Sequence, residues 1–215
     1  MNRSAIITGA SGGVARALAA RLRSSGYRLV LVGREAARMA AEAHDHVVEA
    51  DVSTVEGAQA ALAQATAALG APPARLAHCV GSTLIAPIAR TDAAAWRRVV
   101  TANLDSAFFV LQAWLGALSA AQQGGAAVFF SSVVAGTGTP NHAAIAAAKG
   151  GVEALVRAAA ADVSAQGIRL NAIAPGLLRT PLTERLVGNE RSAQAVSAQY
   201  PLGRHGEADE AAALA

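Results

Sequence analysis

Near the amino terminus, Ser4-Ala5-Ile6-Ile7-Thr8 reads as a short buried strand that runs into Gly9-Ala10-Ser11-Gly12-Gly13-Val14-Ala15, and a helical pattern follows directly. No other feature restricts the fold as strongly. A strand, a glycine-rich turn and a helix in succession present backbone N–H groups and the positive end of a helix to a phosphate, the arrangement of dinucleotide sites. Gly9 would make the tight turn and Gly13 would let a pyrophosphate approach. Ala15 stands where a third glycine would give close strand–helix packing, and one methyl is tolerated there.

The rest of the chain alternates in the same way. Apolar runs at 29–32, 47–50, 76–80, 126–130 and 168–173 read as buried parallel strands. Ala-rich stretches between them, such as 58–69 and 154–163, carry the Leu and Val spacing of packed helices. This alternation predicts an α/β fold, a Rossmann-like doubly wound parallel sheet with helices on both faces and ligand at the carboxyl ends of the strands. With 215 residues, 53% of them hydrophobic, and no internal linker, the sequence reads as one domain over 1–215.

Composition argues against several other classes. The net charge is +3, but the arginines are scattered and aromatics make up only 4%, so no nucleic-acid partner is expected. Charges or glycines break the apolar stretches before a membrane-spanning length, and Met1-Asn2-Arg3 leads straight into the first strand. The reading is a soluble, cytoplasmic protein with no membrane segment. Cys79 is the single cysteine, which excludes an intrachain disulfide, and no metal site is assigned.

Further motifs follow in order: Asp51-Val52 after the third strand, Gly81 after the fourth, Asn103 in Thr101-Ala102-Asn103-Leu104, and Ser131-Ser132 at the end of the fifth. Lys149, the only lysine among 18 Lys+Arg, comes next, then Asn171-Ala172-Ile173-Ala174-Pro175-Gly176 and Thr180. Together with the glycine turn, this ordered set resembles the short-chain dehydrogenase/reductase family over essentially the whole chain. The resemblance implies an NAD(P)(H) cofactor contacted by Gly9, Ser11, Gly12, Gly13, Val14, Arg34, Asp51, Val52, Gly81, Lys149, Pro175, Gly176 and Thr180. Asp51 and Val52 would lie at the adenine, and the 171–176 segment with Thr180 would close over the nicotinamide. An acidic residue ends the second strand in NAD-preferring members of this fold. Gly33-Arg34 at that point favours NADP(H), with NAD(H) kept open by Glu35.

The resemblance also assigns catalytic parts. Ser132 would hydrogen-bond the substrate oxygen, Asn103 would help to hold a water of the proton relay, and Lys149 would hold the nicotinamide ribose and lower the pKa of a tyrosine four residues before it. That tyrosine is absent: position 145 is Ile145, which has no proton to give. Loss of general acid catalysis is worth about a hundred- to ten-thousand-fold in rate. Three readings stay open. If Asn141 caps the helix, His142, Ile145 and Lys149 share one face, and His142 is a replacement acid or else a local loop residue. Alternatively the substrate needs no acid, as for an iminium or an enone protonated by water. Or the protein binds nucleotide without turnover, in a structural or regulatory role.

Other departures stand out. His78-Cys79-Val80-Gly81 replaces the family's Asn-Asn-Ala-Gly, keeping only the glycine, and His78 reads as a histidine satisfied inside the fold or a substrate contact. Cys79 reads as a small apolar residue. The segment 180–200 suits a mobile lid over a small, apolar substrate, or an ordinary amphipathic helix. The resemblance implies a homodimer or homotetramer built from helices at 93–118 and 143–165. The chain stops inside a late helix, where the family adds a final strand. Either that strand is lacking and a partner chain covers the exposed edge, or the sequence is a piece of a longer one.

Overall fold

The structure, a computed structural model, describes residues 3–187 and 190–215. Six strands, β1 (Ser4–Thr8), β2 (Arg28–Gly33), β3 (His46–Glu49), β4 (Arg75–His78), β5 (Gly125–Phe130) and β6 (Ile168–Ile173), pair in the order β3-β2-β1-β4-β5-β6, all in parallel. This is the Rossmann-like doubly wound sheet that the alternation predicts. The expected apolar runs fall on β2 to β6 within a residue or two; Cys79 and Val80 lie beyond β4, in the loop that follows it.

Parallel strands need crossovers, and these place helices on both faces. Successive residues of one strand point to opposite faces, so the neighbours Ile6 and Ile7 in β1 enter different cores. Ile6, Val30, Val32, Leu76 and Phe129 face α2 (Val55–Leu69), α4 (Ser106–Ala120) and α5 (Ala143–Val163). Ile7, Leu29 and Leu31 face α1 (Gly13–Ser24) and α8 (Ala208–Leu214). Arg21 and Asp209 clamp α8 onto α1 through two hydrogen bonds of 2.7 and 2.5 Å.

The helix expected at 93–118 is present as a continuous helix over Ala93–Ala120, 28 residues that are long and apolar enough to cross a membrane by length and composition, where the sequence reading broke the apolar stretches short of that length at their charges and glycines. It comprises α3 (Ala93–Val100), a π-helical turn at Thr101–Asp105, and α4. Its apolar side is used inside the fold: Val110, Leu111, Trp114 and Leu118 are buried in the core against the sheet.

After β6 the chain forms β7 (Leu178–Arg179), α6 (Glu184–Val187), α7 (Glu190–Ser197) and β8 (Gly206–Glu207), which pairs with β7, before α8. Residues 188 and 189 of the expected lid lie outside the described residues. Among the described residues, no strand pairs with the outer edge of β6.

Trp114 is fully buried, donates its indole N–H to the Pro73 carbonyl at 2.8 Å, and lies against Gly125, where a methyl would come within 2.8 Å of the ring. Trp114→Ala is expected to cost about 3–5 kcal/mol in urea denaturation, the range for emptying a large aromatic site. A loss below about 1 kcal/mol would mean that α4 is not anchored there.

Candidate functional site

The glycine turn is built by crowding. Gly9 has a left-handed backbone (φ 69°), and a Cβ there would sit 2.8 Å from the backbone of Cys79 and Val80, so the turn lies flush against the loop after β4. Ala10 N–H donates to Val32 O and Gly12 N–H to Gly9 O, which closes the turn. Helix α1 then begins at Gly13 with no side-chain cap and no acidic residue in its first turn. Its leading amides therefore keep their capacity for an outside anion. Gly13 faces Thr180, whose Cγ2 would be 3.0 Å from a methyl at that position, so the segment after β6 arches over the turn. Ala15 is buried in the α1 core, as the tolerated methyl requires.

Along the sheet, Arg34 is exposed beyond β2. Beyond β3, the Asp51 carboxylate accepts from Ser53 Oγ at 2.7 Å and Ser53 N–H at 3.0 Å. These two bonds, with a smaller attraction from Arg34, hold the Asp51 carboxyl below its usual range. Val52 is a core residue. The same rim carries the Glu35–Arg38 ion pair at 3.2 Å, and Arg16 donates to the Arg38 carbonyl at 2.8 Å.

The inner part of the site gathers around the loop after β4. Asn103 is fully buried in the π-helical turn; its Nδ2 donates to Val99 O (2.8 Å) and Ser82 Oγ (3.0 Å), and its Oδ1 accepts from Ser82 N–H (3.2 Å). A Cβ on Gly81 would lie 3.0 Å from that Oδ1 and 3.3 Å from Lys149 Nζ, so Gly81 brings Asn103 and Lys149 together. Lys149, 8% exposed, donates from Nζ to Phe130 O at 2.7 Å. Burial pulls its pKa down to about 8, offset slightly by Cys79, whose thiol burial pushes up to about 12. That thiol stays protonated at neutral pH and packs against the α1 core.

Ser131 and Ser132 divide their tasks. The buried Ser131 hydroxyl lies 2.7 Å from a Glu153 carboxylate oxygen and 3.1 Å from Lys149 O, binding the end of β5 to α5. Among the described residues, Ser132 Oγ receives only a long 3.4 Å contact from Val134 N–H, and Val133 N–H donates to Pro175 O at 3.0 Å. The serine segment is thereby held beside the Pro175-Gly176 turn. Tyr200 covers that turn: its hydroxyl accepts from Leu177 N–H at 2.7 Å, and a methyl on Gly176 would come within 2.6 Å of its ring.

Position 145 belongs to an apolar cluster. Ile145, 5% exposed, packs with Val99, Ala144 and Ala148, against Leu84, Leu104 and Val134. The helix cap is His142 rather than Asn141, which adopts a left-handed conformation (φ 63°) and gives its carbonyl to Ala86 N–H. His142 Nδ1 lies 2.6 Å from Pro140 O, a contact that requires Nδ1 to carry a proton. In the neutral ring Nε2 is then an acceptor, so His142 can donate a proton onward only as imidazolium.

Glu153 and Ser82 escaped the sequence reading. Glu153 carries the i+4 spacing from Lys149 that places both on one side of α5, whereas nothing local marks Ser82 as the partner of Asn103.

Residues 9–215 match a family model described as enoyl-(acyl carrier protein) reductase. Galactitol 2-dehydrogenase (L-tagatose-forming) of Cereibacter sphaeroides is 36% identical over 220 residues, covering 98% of this chain and 85% of that enzyme. The inactive 2-(S)-hydroxypropyl-CoM dehydrogenase 2 of Xanthobacter autotrophicus is 34% identical over 200 residues, 89% of this chain and 86% of that one. A short-chain type dehydrogenase/reductase from Mycobacterium ulcerans superposes with a TM-score of 0.88 at 28% identity, covering 100% of this chain and 82% of that structure. A sheet of this order, a glycine turn seated on the loop after β4 and a match across nearly all residues agree: the chain belongs to the short-chain dehydrogenase/reductase family.

Proposed function

We propose that the protein is an NADP(H)-dependent oxidoreductase with an altered proton-transfer site, acting on a small apolar carbonyl, imine or enone. The observation that carries this reading is the convergence of Gly81, Asn103 and Lys149 at the strand ends, with Ile145 buried in an apolar cluster one helical turn away. The residues present fit the cofactor. The uncapped first turn of α1 suits a pyrophosphate, and Arg34 suits a ribose 2′-phosphate, with NAD(H) as the second choice.

A bound nicotinamide cofactor supplies or accepts the hydride. Lys149 spends one N–H on Phe130 O and keeps two for ribose hydroxyls, a task that survives without a tyrosine. Ser132 keeps its O–H for a substrate oxygen. Asn103 and Ser82 hold the loop that carries Gly81. No proton comes from position 145, so this reading favours substrates whose reduction needs none in the same step: a preformed iminium, or an enone protonated afterwards by water. The 180–200 segment, with Tyr200 against Gly176, serves as the lid in this reading. A homodimer or homotetramer assembles on α5 and on Ala93–Ala120, where Trp96 and Phe108 are exposed.

A second reading makes the protein a nucleotide binder with a structural or regulatory role and no turnover. It is favoured by the apolar cluster that holds Ile145 and by a 34%-identical relative that is itself named inactive.

Calorimetric titration with NADPH and NADH separates these readings from a fold without its ligand. Binding of NADPH ahead of NADH, weakened in Lys149→Ala, is the expected result; no binding of either nucleotide would defeat both readings. Ile145→Tyr restores an acid and is expected to raise ketone reduction by about a hundredfold or more. An unchanged rate in a variant that binds nucleotide would show that proton transfer is not what limits this site.

The buried Lys149 also links stability to pH. Its folded pKa of about 8 lies below the ordinary lysine value of 10.5, so the unfolded chain binds more protons between those values. The penalty for burying the charge is full below about pH 8 and is relieved as pH rises toward 10.5. Relative to Lys149→Met, the wild type is expected to gain up to about 3 kcal/mol across that window in urea denaturation. A flat difference would mean that the amine is solvated.

A further inference from the structure

His78 takes part in none of the steps above, yet it is 3% exposed and joins the two halves of the site. Its Nδ1 lies 2.8 Å from Thr8 Oγ1, the last residue of β1 before Gly9. Its Nε2 lies 3.2 Å from Ser106 Oγ, the first residue of α4 after the π-helical turn. Its ring packs on Phe129 of β5 at 5.5 Å between centroids. Desolvation, with a smaller contribution from Lys149, holds its pKa down to about 3, so the ring is neutral at pH 7.

The direction of each proton follows from counting. Ser106 Oγ donates its one proton to the Ala102 carbonyl at 2.9 Å, so toward His78 it can only accept. The Nε2–H of His78 is therefore the donor to Ser106. Nδ1 is then a lone pair, and the Thr8 hydroxyl must donate to it. The result is a one-way chain: Thr8 O–H to His78 Nδ1, His78 Nε2–H to Ser106 Oγ, and Ser106 O–H to Ala102 O.

That last carbonyl lies inside the widened turn. Ser106 N–H bonds to Thr101 O, five residues back, rather than to Ala102 O as in an α-helix. The Ser106 side chain thus returns to a carbonyl that its own backbone has passed over. One residue further on, Asn103 reaches Val99 O and Ser82 from the same turn.

We propose that His78 is a positioning residue: through Ser106 it fixes the π-helical turn that aims Asn103 at the loop carrying Gly81, and through Thr8 it ties that turn to the glycine loop. Its relevance to catalysis rests on the oxidoreductase reading, but the structural claim does not. Two amide replacements separate the two arms. An asparagine amide reaches the place of Nδ1 and keeps the Thr8 arm; a glutamine amide reaches the place of Nε2 and keeps the Ser106 arm.

Amide hydrogen exchange on the full chain, without nucleotide, tests the proposal. His78→Asn and Ser106→Ala are expected to speed exchange at 101–106 about tenfold relative to 110–118, the effect of one lost buried hydrogen bond, while His78→Gln stays near the wild type. Equal exchange in His78→Asn and His78→Gln would overturn the proposal. Independently, 15N NMR of the unmodified protein at pH 7 should show His78 as the neutral Nε2–H tautomer, and an Nδ1–H signature would overturn it without any substitution. If the wild type fails to bind NADPH or NADH, the oxidoreductase reading falls while both readouts still decide the role of His78. If it binds, nucleotide affinity is expected to fall in His78→Asn and to be retained in His78→Gln.

Discussion

The parallel pairing of β1 with β2 on one side and β4 on the other is the constraint on which the site depends. Chain order reverses at that seam: β1 leads to α1 on one face of the sheet, and β4 leads to the Ala93–Ala120 helix on the other. In open sheets of this kind ligands bind outside the strand ends at such a reversal. Gly9 sets how close the two loops come, because only a residue without a Cβ fits against the Cys79 and Val80 backbone. The residues assembled there, including the buried Lys149 and the π-helical turn, take their places from this seam.

The elements most legible in the sequence are those whose signal is local. Buried parallel strands show as short apolar runs because both faces are covered, and the glycine turn shows because its backbone demands are met by few residue types. The break between strand and loop after His78 was less legible: apolar Cys79 and Val80 continue the pattern while their backbone already serves as the surface on which Gly9 rests. The Ala93–Ala120 helix was legible nearly to its end, at 93–118, but its membrane-spanning apolarity and its π-helical turn were not. Arg97, Arg98 and Asp105 interrupt the apolar pattern without interrupting the helix, and a π-helical turn leaves no mark on composition.

The polar contacts of the site were the least legible. Asn103 pairs with Ser82, 21 residues away, and Ser131 with Glu153, 22 away, so neither pair can be read without the fold. The helix cap shows how small a local difference matters. With Asn141 left-handed, the cap moves to His142, and its ring turns back to Pro140. At position 145, by contrast, the residue type alone announced the missing proton, and the packing adds that Ile145 is buried within an apolar cluster.

The lone lysine has a practical consequence. Every other strongly basic side chain is a guanidinium, and the only side-chain amine is 8% exposed and bonded to a backbone carbonyl. Acylating reagents, reductive methylation and amine cross-linkers thus find no side chain to attack on the exterior of this chain. Whatever they attach at Lys149 reports how often that buried amine becomes accessible, so a reaction normally used to map protein surfaces becomes a clock for the interior.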